Sequence, residues 1–169
     1  MRGGEILNLV EINMEALIET ISLEDDNLGK SFLDTYTGEV IYIPTEVSVA
    51  LENGTLKEDT FDNWLKEFVS VAILISEDEV NRYLGTPLID EDFYINAMKE
   101  YVNSIISNSD LKLELHKALN SEEPIKSFKH LLMDKENEID EWYEYEDKCI
   151  DEFVRDWLKS NGIELKYLN

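Results

Sequence analysis

The chain has 169 residues, 43% of them hydrophobic, so it is long enough to bury a core instead of remaining disordered. Its 38 Asp and Glu residues outnumber 15 Lys and Arg residues, which gives a formal net charge of −23. This charge repels phosphate backbones and anionic lipid headgroups, so direct binding to nucleic acid or to a membrane surface is disfavoured.

The first predicted elements are a short strand and a helix. Residues 9–12 are predicted to form a short strand, and Asn13 can cap the helix that follows. Apolar residues recur in that helix at intervals of three and four: Met14, Leu17, Ile18 and Ile21. The polar stretch over residues 24–29 is predicted to end it.

A hairpin gives the strongest β signal in the chain. Residues 31–36 and 39–43 are rich in β-branched and aromatic side chains, and they flank Thr37-Gly38, which suits a tight turn containing glycine. Pro44 is expected to end the second strand, because its nitrogen carries no hydrogen to donate.

The middle of the chain predicts helices and a connecting segment. Residues 46–51 suit one or two helical turns. A longer helix follows, with these apolar residues at helical spacing: Trp64, Leu65, Phe68, Val71, Ala72 and Ile75. Ser76 begins a sequence typical of a second helix start, and residues 82–87 are interpreted as a linker or a short extended segment.

From Asp90 onward the pattern is helical. Asp90 and Ser109 are predicted N-caps, and Pro124 suits the first turn of a further helix. The last helix is predicted to end near Gly162, which can adopt a left-handed cap, and residues 163–168 form a short extended tail. Its wide apolar and aromatic stripe comprises Ile139, Trp142, Tyr143, Cys149, Ile150, Phe153, Val154, Trp157 and Leu158.

These elements predict an α+β fold that is predominantly helical. An N-terminal helix and a β-hairpin are expected to pack on a C-terminal helical bundle, as in folds whose strands and helices are segregated. We expect a single domain over residues 1–169. It can be subdivided into a helix and hairpin part, residues 1–86, and a helical part, residues 87–169.

The short motifs do not match a cofactor or metal site. Gly29-Lys30-Ser31 is similar to the end of a phosphate-binding loop, but Glu24 stands where that loop needs its first glycine. Residues 25–27 lack the alternate ligand spacing of a calcium loop, and the alternating acids from 134 to 140 lack its glycine.

Neither the histidines nor the cysteine predicts a catalytic centre. His116 and His130 lie on different predicted helices, without the short spacing of a zinc motif or of a di-iron carboxylate bundle. Cys149 lies on the apolar stripe, where burial raises the pKa of a thiol and makes it inert. Spacing cannot select two carboxylates out of 38 for acid-base chemistry. We therefore predict no catalytic, cofactor-binding or metal-binding residues.

The last helix also carries a dense acidic face, which we predict to be the partner-binding surface. Glu144, Asp147 and Asp151 are its predicted binding residues. Between Lys112 and Lys135 the local charge becomes positive, so an internal or dimeric charge match with this face stays open. The partner is accordingly expected to be another protein, basic in character, or a second copy of the chain.

Several segments together resemble a known family. They are residues 32–42, Arg82-Tyr83-Leu84 with Pro87 and Ile89, Met98 with Tyr101-Val102, Phe128-Lys129, and Trp142-Tyr143 followed by Trp157-Leu158. In this order and spacing they resemble the uncharacterised protein family UPF0158, a set of small, mostly bacterial proteins, over residues 9–165. Members commonly have a glycine-flanked, arginine-rich stretch before the Phe-Lys pair, whereas residues 121–127 here do not, which argues against an anion-binding role. The resemblance implies a fold and a cytosolic setting, but no catalytic residues.

The leading functional prediction is a noncatalytic cytosolic interaction or regulatory module with a strongly acidic surface. One alternative is an acidic nucleic-acid mimic that occupies a DNA- or RNA-binding protein, and another is a metal-dependent hydrolase. A cytoplasmic location is expected because Cys149 is the single cysteine and no secretory leader pattern opens the sequence. The apolar runs are too short to span a membrane, and no cofactor is expected.

Overall fold

The computed structural model describes residues 9–23, 28–135 and 137–165. The described residues form a predominantly helical α+β protein, as predicted. The chain divides into two compact units: residues 1–88 together with 154–169 form the first, and residues 89–153 form the second. The chain therefore leaves the first unit after residue 88 and returns to it at residue 154.

A small parallel sheet in the first unit joins segments that are distant in the sequence. β1 (Leu9–Val10) pairs with β5 (Glu164–Leu165), and Leu9 lies opposite Glu164. The strand predicted over residues 9–12 is thus shorter than expected, and part of the predicted tail is a strand. Residues 166–168 of that tail lie outside the described residues.

The first helix begins where the sequence predicts. The side-chain oxygen of Asn13 accepts a hydrogen bond from the N–H of Ala16 at 3.1 Å, which caps α1 (Met14–Leu23). Leu17 and Ile21 are buried, in agreement with their spacing. The polar stretch predicted to end this helix lies, at residues 24–27, outside the described residues.

The predicted hairpin is confirmed and forms part of a three-stranded antiparallel sheet. β2 (Gly29–Asp34) pairs with β3 (Val40–Pro44), which ends at the proline as predicted. The connection is longer than a tight turn and spans residues 35–39. Gly38 has a φ of +78°, and its N–H donates to the carbonyl of Asp34 at 2.8 Å, so the backbone of this turn favours glycine.

The third strand lies in the segment predicted to be a linker or a short extended segment, and this segment is extended. β4 (Tyr83–Gly85) pairs antiparallel with the other edge of β2, which gives the strand order β3-β2-β4. In this pairing Leu33 lies opposite Leu84. The partner of this short segment lies far back in the sequence, so no local pattern reveals which strand it pairs with.

Two helices pack against the sheet. α2 (Thr45–Glu52) contacts β2 and β3, and α3 (Lys66–Ser76) contacts β3. Their shared core contains these buried residues: Ile43, Val47, Leu65, Val69 and Ala72. Short 3₁₀ turns, Glu58–Thr60 and Asn63–Leu65, precede α3. Trp64 lies in the second turn and is 62% exposed, so its predicted position on the apolar face is wrong.

Ser76 ends α3 and does not start a second helix. The side chain of Asp78 instead accepts hydrogen bonds from the N–H groups of Val80 and Tyr83, at 3.1 and 2.9 Å. An irregular connection leading into β4 takes the place of the predicted helix. These hydrogen bonds satisfy backbone N–H groups of that connection.

The second unit is helical. It contains α4 (Glu91–Ser104), α5 (Ser109–Leu119), α6 (Pro124–Met133) and the larger part of α7 (Glu138–Ser160). Asp90 caps α4 by accepting from the N–H of Phe93 at 2.9 Å, as predicted.

The cap of α5 is displaced by one residue from its prediction. Asn108, not Ser109, accepts hydrogen bonds from the N–H groups of Asp110 and Leu111, at 3.0 and 3.1 Å. Pro124 occupies the first position of α6, as predicted. Gly162 follows α7 with a φ of +75°, which agrees with the predicted left-handed cap.

Candidate functional site

The aromatic stripe of α7 is largely core, and it determines which side of the helix is buried. Trp142 is fully buried and packs edge-to-face on Tyr101 of α4 and Phe128 of α6, with ring centroids 5.3 and 5.1 Å apart. The ring centroids of Tyr145 and Tyr101 are 5.2 Å apart. Each such aromatic pair contributes about 0.5–1.5 kcal/mol beyond the area it buries. This packing turns the opposite side of α7 toward solvent.

Tyr143 lies at the surface, although its predicted place is in the apolar stripe. Its side chain is 38% exposed, and the Nζ atom of Lys129 lies 5.5 Å from its ring centroid. A helix turns by about 100° per residue, so burial of Trp142 carries the next residue away from the core. The cation holds the ring of Tyr143 by attraction to its π face.

Lys129 also forms an ion pair with Glu146 of α7. Its Nζ lies 3.7 Å from Oε2 of Glu146, and the two side chains are 29% and 13% exposed. This contact between α6 and α7 is of the kind that an internal charge match predicts. Lys126 of α6, in contrast, pairs with Glu123, the residue that immediately precedes this helix.

Burial dominates the electrostatics of Glu146. It raises the pKa of this carboxyl, and the charge of Lys129 offsets only part of the effect. The indole N–H of Trp142 also lowers the pKa of Glu146, although among the described residues neither Glu146 Oε2 nor this buried nitrogen makes a hydrogen bond of normal geometry. Burial also raises the pKa of the Cys149 thiol.

The predicted partner-binding residues differ in exposure. Glu144 and Asp147 are exposed, whereas Asp151 is half-buried. Asp140 is exposed as well and shares one side of α7 with Glu144 and Asp147, because residues three and four apart are neighbours on a helix. Tyr143 borders this side, three positions from Asp140 and four from Asp147. We call these four residues, Asp140, Tyr143, Glu144 and Asp147, the acidic patch.

The residues considered for metal or phosphate binding do not converge. In the part of the chain that the structure describes, no group of three or more His, Cys, Asp or Glu side chains could hold a metal ion. His116 and His130 lie in the last turns of α5 and α6. Gly29-Lys30-Ser31 belongs to β2, so it lacks the loop-to-helix geometry of a phosphate site. Residues 25–27 and residue 136 lie outside the described ranges.

Arg82 is the centre of a cluster in the first unit that the sequence did not predict. Arg82 donates from Nε and Nη2 to the two carboxylate oxygens of Asp34, at 2.9 and 2.7 Å. The rings of Tyr36 and Tyr83 each lie 4.9 Å from the guanidinium carbon. The hydrogen bond from Arg82 lowers the pKa of the buried Asp34 carboxyl. This cluster joins β4 to the end of β2, and only the pairing of those strands could have revealed it.

Within the described ranges, no helix combines the length and the apolar character needed to cross a membrane.

Comparison with known proteins gives a family match over nearly the whole chain. The model of the uncharacterised protein family UPF0158 matches residues 7–168. A curated relative, UPF0158 protein PA5073 of Pseudomonas aeruginosa, is 40% identical over 50 residues, which are 30% of this chain and 33% of the relative. This match spans about a third of the length of that relative. No solved structure matches the chain.

Proposed function

This chain belongs to the uncharacterised protein family UPF0158, which has no established activity, and from its surface we propose that it is a noncatalytic protein-interaction module. It binds a basic protein partner through the acidic patch of α7. The observation that carries this proposal is the exposure of three carboxylates beside an aromatic ring that is held in place by Lys129.

The carboxylates of the patch supply attraction and orientation. Asp140, Glu144 and Asp147 project from one side of a helix in a chain of net charge −23, so their field adds to that of the whole molecule. Such a field accelerates encounter with a positively charged partner and disfavours acidic ones. Exposed ion pairs each contribute only about 0–1 kcal/mol, so charge alone gives a weak complex.

Tyr143 supplies an apolar contact, which the charged residues of the patch do not provide. Its ring is 38% exposed and is restrained by Lys129, so little conformational entropy remains to be lost when a partner covers it. Tyrosines in such positions are common among the few residues that dominate binding energy. A binding site with this centre retains affinity at moderate salt, where purely ionic contacts weaken.

A cytosolic setting is part of the proposal. Cys149 is a free, half-buried thiol with a raised pKa, which is compatible with a reducing compartment.

Charge-reversal variants test whether the patch is the binding surface. Wild type is compared with a Glu144→Lys, Asp147→Lys variant in pull-downs from a bacterial lysate at low and high salt. The control, Glu58→Lys with Asp59→Lys, changes two exposed acids of the first unit and alters net charge equally. We expect a protein that wild type and control retain and the patch variant loses. Equal loss in both variants would show that total charge, not the patch, attracts it.

The role of Tyr143 is tested by measuring the affinity for the captured protein after that protein has been purified. Tyr143→Ala should weaken binding by at least about tenfold, equivalent to about 1.4 kcal/mol, and the loss should persist at high salt. Unchanged affinity in this variant would contradict the role of the ring. Displacement of the partner by duplex DNA would instead favour the nucleic-acid mimic, because a mimic and DNA occupy the same basic surface.

A further inference from the structure

Two asparagines of the chain are followed directly by glycine, and each pair stands at the end of a helix. Asn53-Gly54 follows α2, and Asn161-Gly162 follows α7. All four residues are exposed, and the two glycines have similar left-handed φ angles, +64° and +75°. We propose that Asn53 is a site of spontaneous deamidation and that the fold protects Asn161 from the same reaction. This inference does not depend on the acidic patch of α7.

Deamidation of an Asn-Gly pair needs no reactant other than water. The main-chain nitrogen of Gly54 gives up its proton to the solvent and attacks Cγ of Asn53, so a bond between this nitrogen and Cγ forms. The bond from Cγ to Nδ2 breaks, and Nδ2 takes up a proton and leaves as ammonia. Water then opens the resulting succinimide ring at either carbonyl and leaves aspartate or isoaspartate at position 53. Glycine favours the attack because it has no Cβ atom to hinder its nitrogen.

The rate of this reaction depends on how readily the turn opens. In the folded turn ψ of Asn53 is −2°, which holds the nitrogen of Gly54 away from Cγ. Attack therefore takes place in the minor population of molecules in which the turn is open. Local opening costs least where few buried contacts and weak backbone hydrogen bonds hold a segment. The contacts at the two turns therefore determine the two rates.

The turn at Asn53 is held weakly. Among the residues that the structure describes, none makes a hydrogen bond with the side-chain amide of Asn53. The N–H of Gly54 donates to the carbonyl of Leu51 at 3.3 Å, beyond the ordinary range of about 2.7–3.2 Å. Thr55 donates to the carbonyl of Ala50 at 3.0 Å, but its side chain is exposed. Opening this turn therefore removes little packing.

The turn at Asn161 is held by its side chain and by the residue after the glycine. Nδ2 of Asn161 donates to the carbonyl of Trp157 at 2.8 Å, so the atom that must leave as ammonia is engaged. The N–H of Gly162 donates to the carbonyl of Lys159 at 3.0 Å, a bond of ordinary length. Ile163 is only 5% exposed, and β5 begins directly after it. Opening this turn would withdraw Ile163 from the core and disturb the pairing of β5 with β1.

Ageing of the full chain followed by peptide mass spectrometry tests the proposal. The protein is kept at pH 8 in water enriched in the heavy oxygen isotope and is then digested with trypsin in ordinary water. Only conversion during ageing labels a side chain under these conditions. The tryptic peptides 31–57 and 160–166 each contain a single asparagine. We expect labelled product to accumulate at least about tenfold faster in peptide 31–57. Equal rates, or faster conversion of Asn161, would overturn the proposal.

A denatured control separates the effect of the fold from that of the local sequence. In the same chain unfolded by urea, the two Asn-Gly pairs should convert at similar rates, because both turns are lost. A difference as large as in the folded chain would show that local sequence protects Asn161 and would overturn the role of the turn.

The products and one variant test the route and the site. Ring closure gives both aspartate and isoaspartate, so aspartate without isoaspartate would show direct hydrolysis and refute the attack by Gly54. Asn53→Gln keeps an amide at an exposed position, but its longer side chain closes a ring far more slowly. We expect this variant to remove the label from peptide 31–57. Label that persists there would assign the reaction to another residue.

Discussion

Glu146 experiences two opposing electrostatic effects. Burial of its Oε2 atom penalises the ionised form, while Lys129 stabilises it from 3.7 Å, a distance too long for a hydrogen bond. Burial is the larger effect, so the pKa of Glu146 is raised above its ordinary value of 4.5. The contribution of this residue to stability is therefore complete below pH 4.5 and is lost as the pH rises through the folded-state pKa.

Replacing Glu146 by Gln should stabilise the protein at neutral pH. The amide keeps the shape of the side chain without the charge, and Lys129 remains partly hydrated when its partner is neutral. We expect Glu146→Gln to raise the free energy of unfolding at pH 7 by about 1 kcal/mol, and the gain to shrink as the pH falls toward 4.5. Urea denaturation at a series of pH values measures both effects.

Glu144→Gln is the matched control for this prediction. It removes one negative charge from an exposed position two residues away, so it corrects for the general relief of charge repulsion. We expect Glu144→Gln to change the free energy of unfolding by less than about 0.5 kcal/mol. A loss of stability in Glu146→Gln at pH 7 would show that the ion pair outweighs the burial of the carboxylate.

The starts of helices depend on single side chains that satisfy backbone N–H groups. Asn13, Asp90 and Asn108 each accept from the first turn of the helix that follows. The case of Asn108 and Ser109 shows that adjacent residues of suitable type compete for this role. Asn108 adopts the extended backbone of a cap, and Ser109 becomes the first residue of α5.

Substitution distinguishes the two residues at the start of α5. Asn108→Ala removes both bonds to the N–H groups of Asp110 and Leu111 and should cost about 1 kcal/mol of stability. Ser109→Ala should change stability by less than about 0.5 kcal/mol, since it lies inside the exposed first turn. Thermal or urea unfolding of the two variants measures the difference, and a larger effect of Ser109→Ala would contradict the cap assignment.

Local sequence patterns predicted most helices and the hairpin, but not the contacts that depend on distant segments. Periodicity of apolar residues identified α1 and α7, and the turn glycine identified β2 and β3. Residues 82–87 were predicted as a linker or a short extended segment, but the pairing of β4 with β2 was not predicted, because it depends on a distant segment. The Arg82-Asp34 pair, which depends on that pairing, was not predicted either. For the candidate site, charge identified Glu144 and Asp147, while the exposure of Tyr143 followed only from the burial of Trp142 and the position of Lys129.

The net charge acts on the molecule as a whole. With −23 distributed over 169 residues, carboxylates repel one another throughout the folded state. The ion pair of Lys126 with Glu123 is largely exposed, so it offsets little of this repulsion. Salt should therefore act mainly by weakening repulsion.

Thermal stability should rise with ionic strength. From about 0.01 M to about 1 M NaCl the screening length falls from about 30 Å to about 3 Å, which removes most of the long-range repulsion. We expect Tm, followed by circular dichroism, to rise by at least about 3 °C, the change that roughly 1 kcal/mol produces in a chain of this size. The Glu58→Lys, Asp59→Lys variant should respond less, and a fall in Tm would show that attractive pairs dominate.

The parallel pairing of β1 with β5 has a consequence for folding during protein synthesis. The ribosome makes Leu9–Val10 long before their partner Glu164–Leu165. Residues 89–153, in contrast, form one continuous unit that is complete while the first unit still lacks residues 154–165. The first unit therefore closes only after residues 164–165 have been made, later than the second unit is complete.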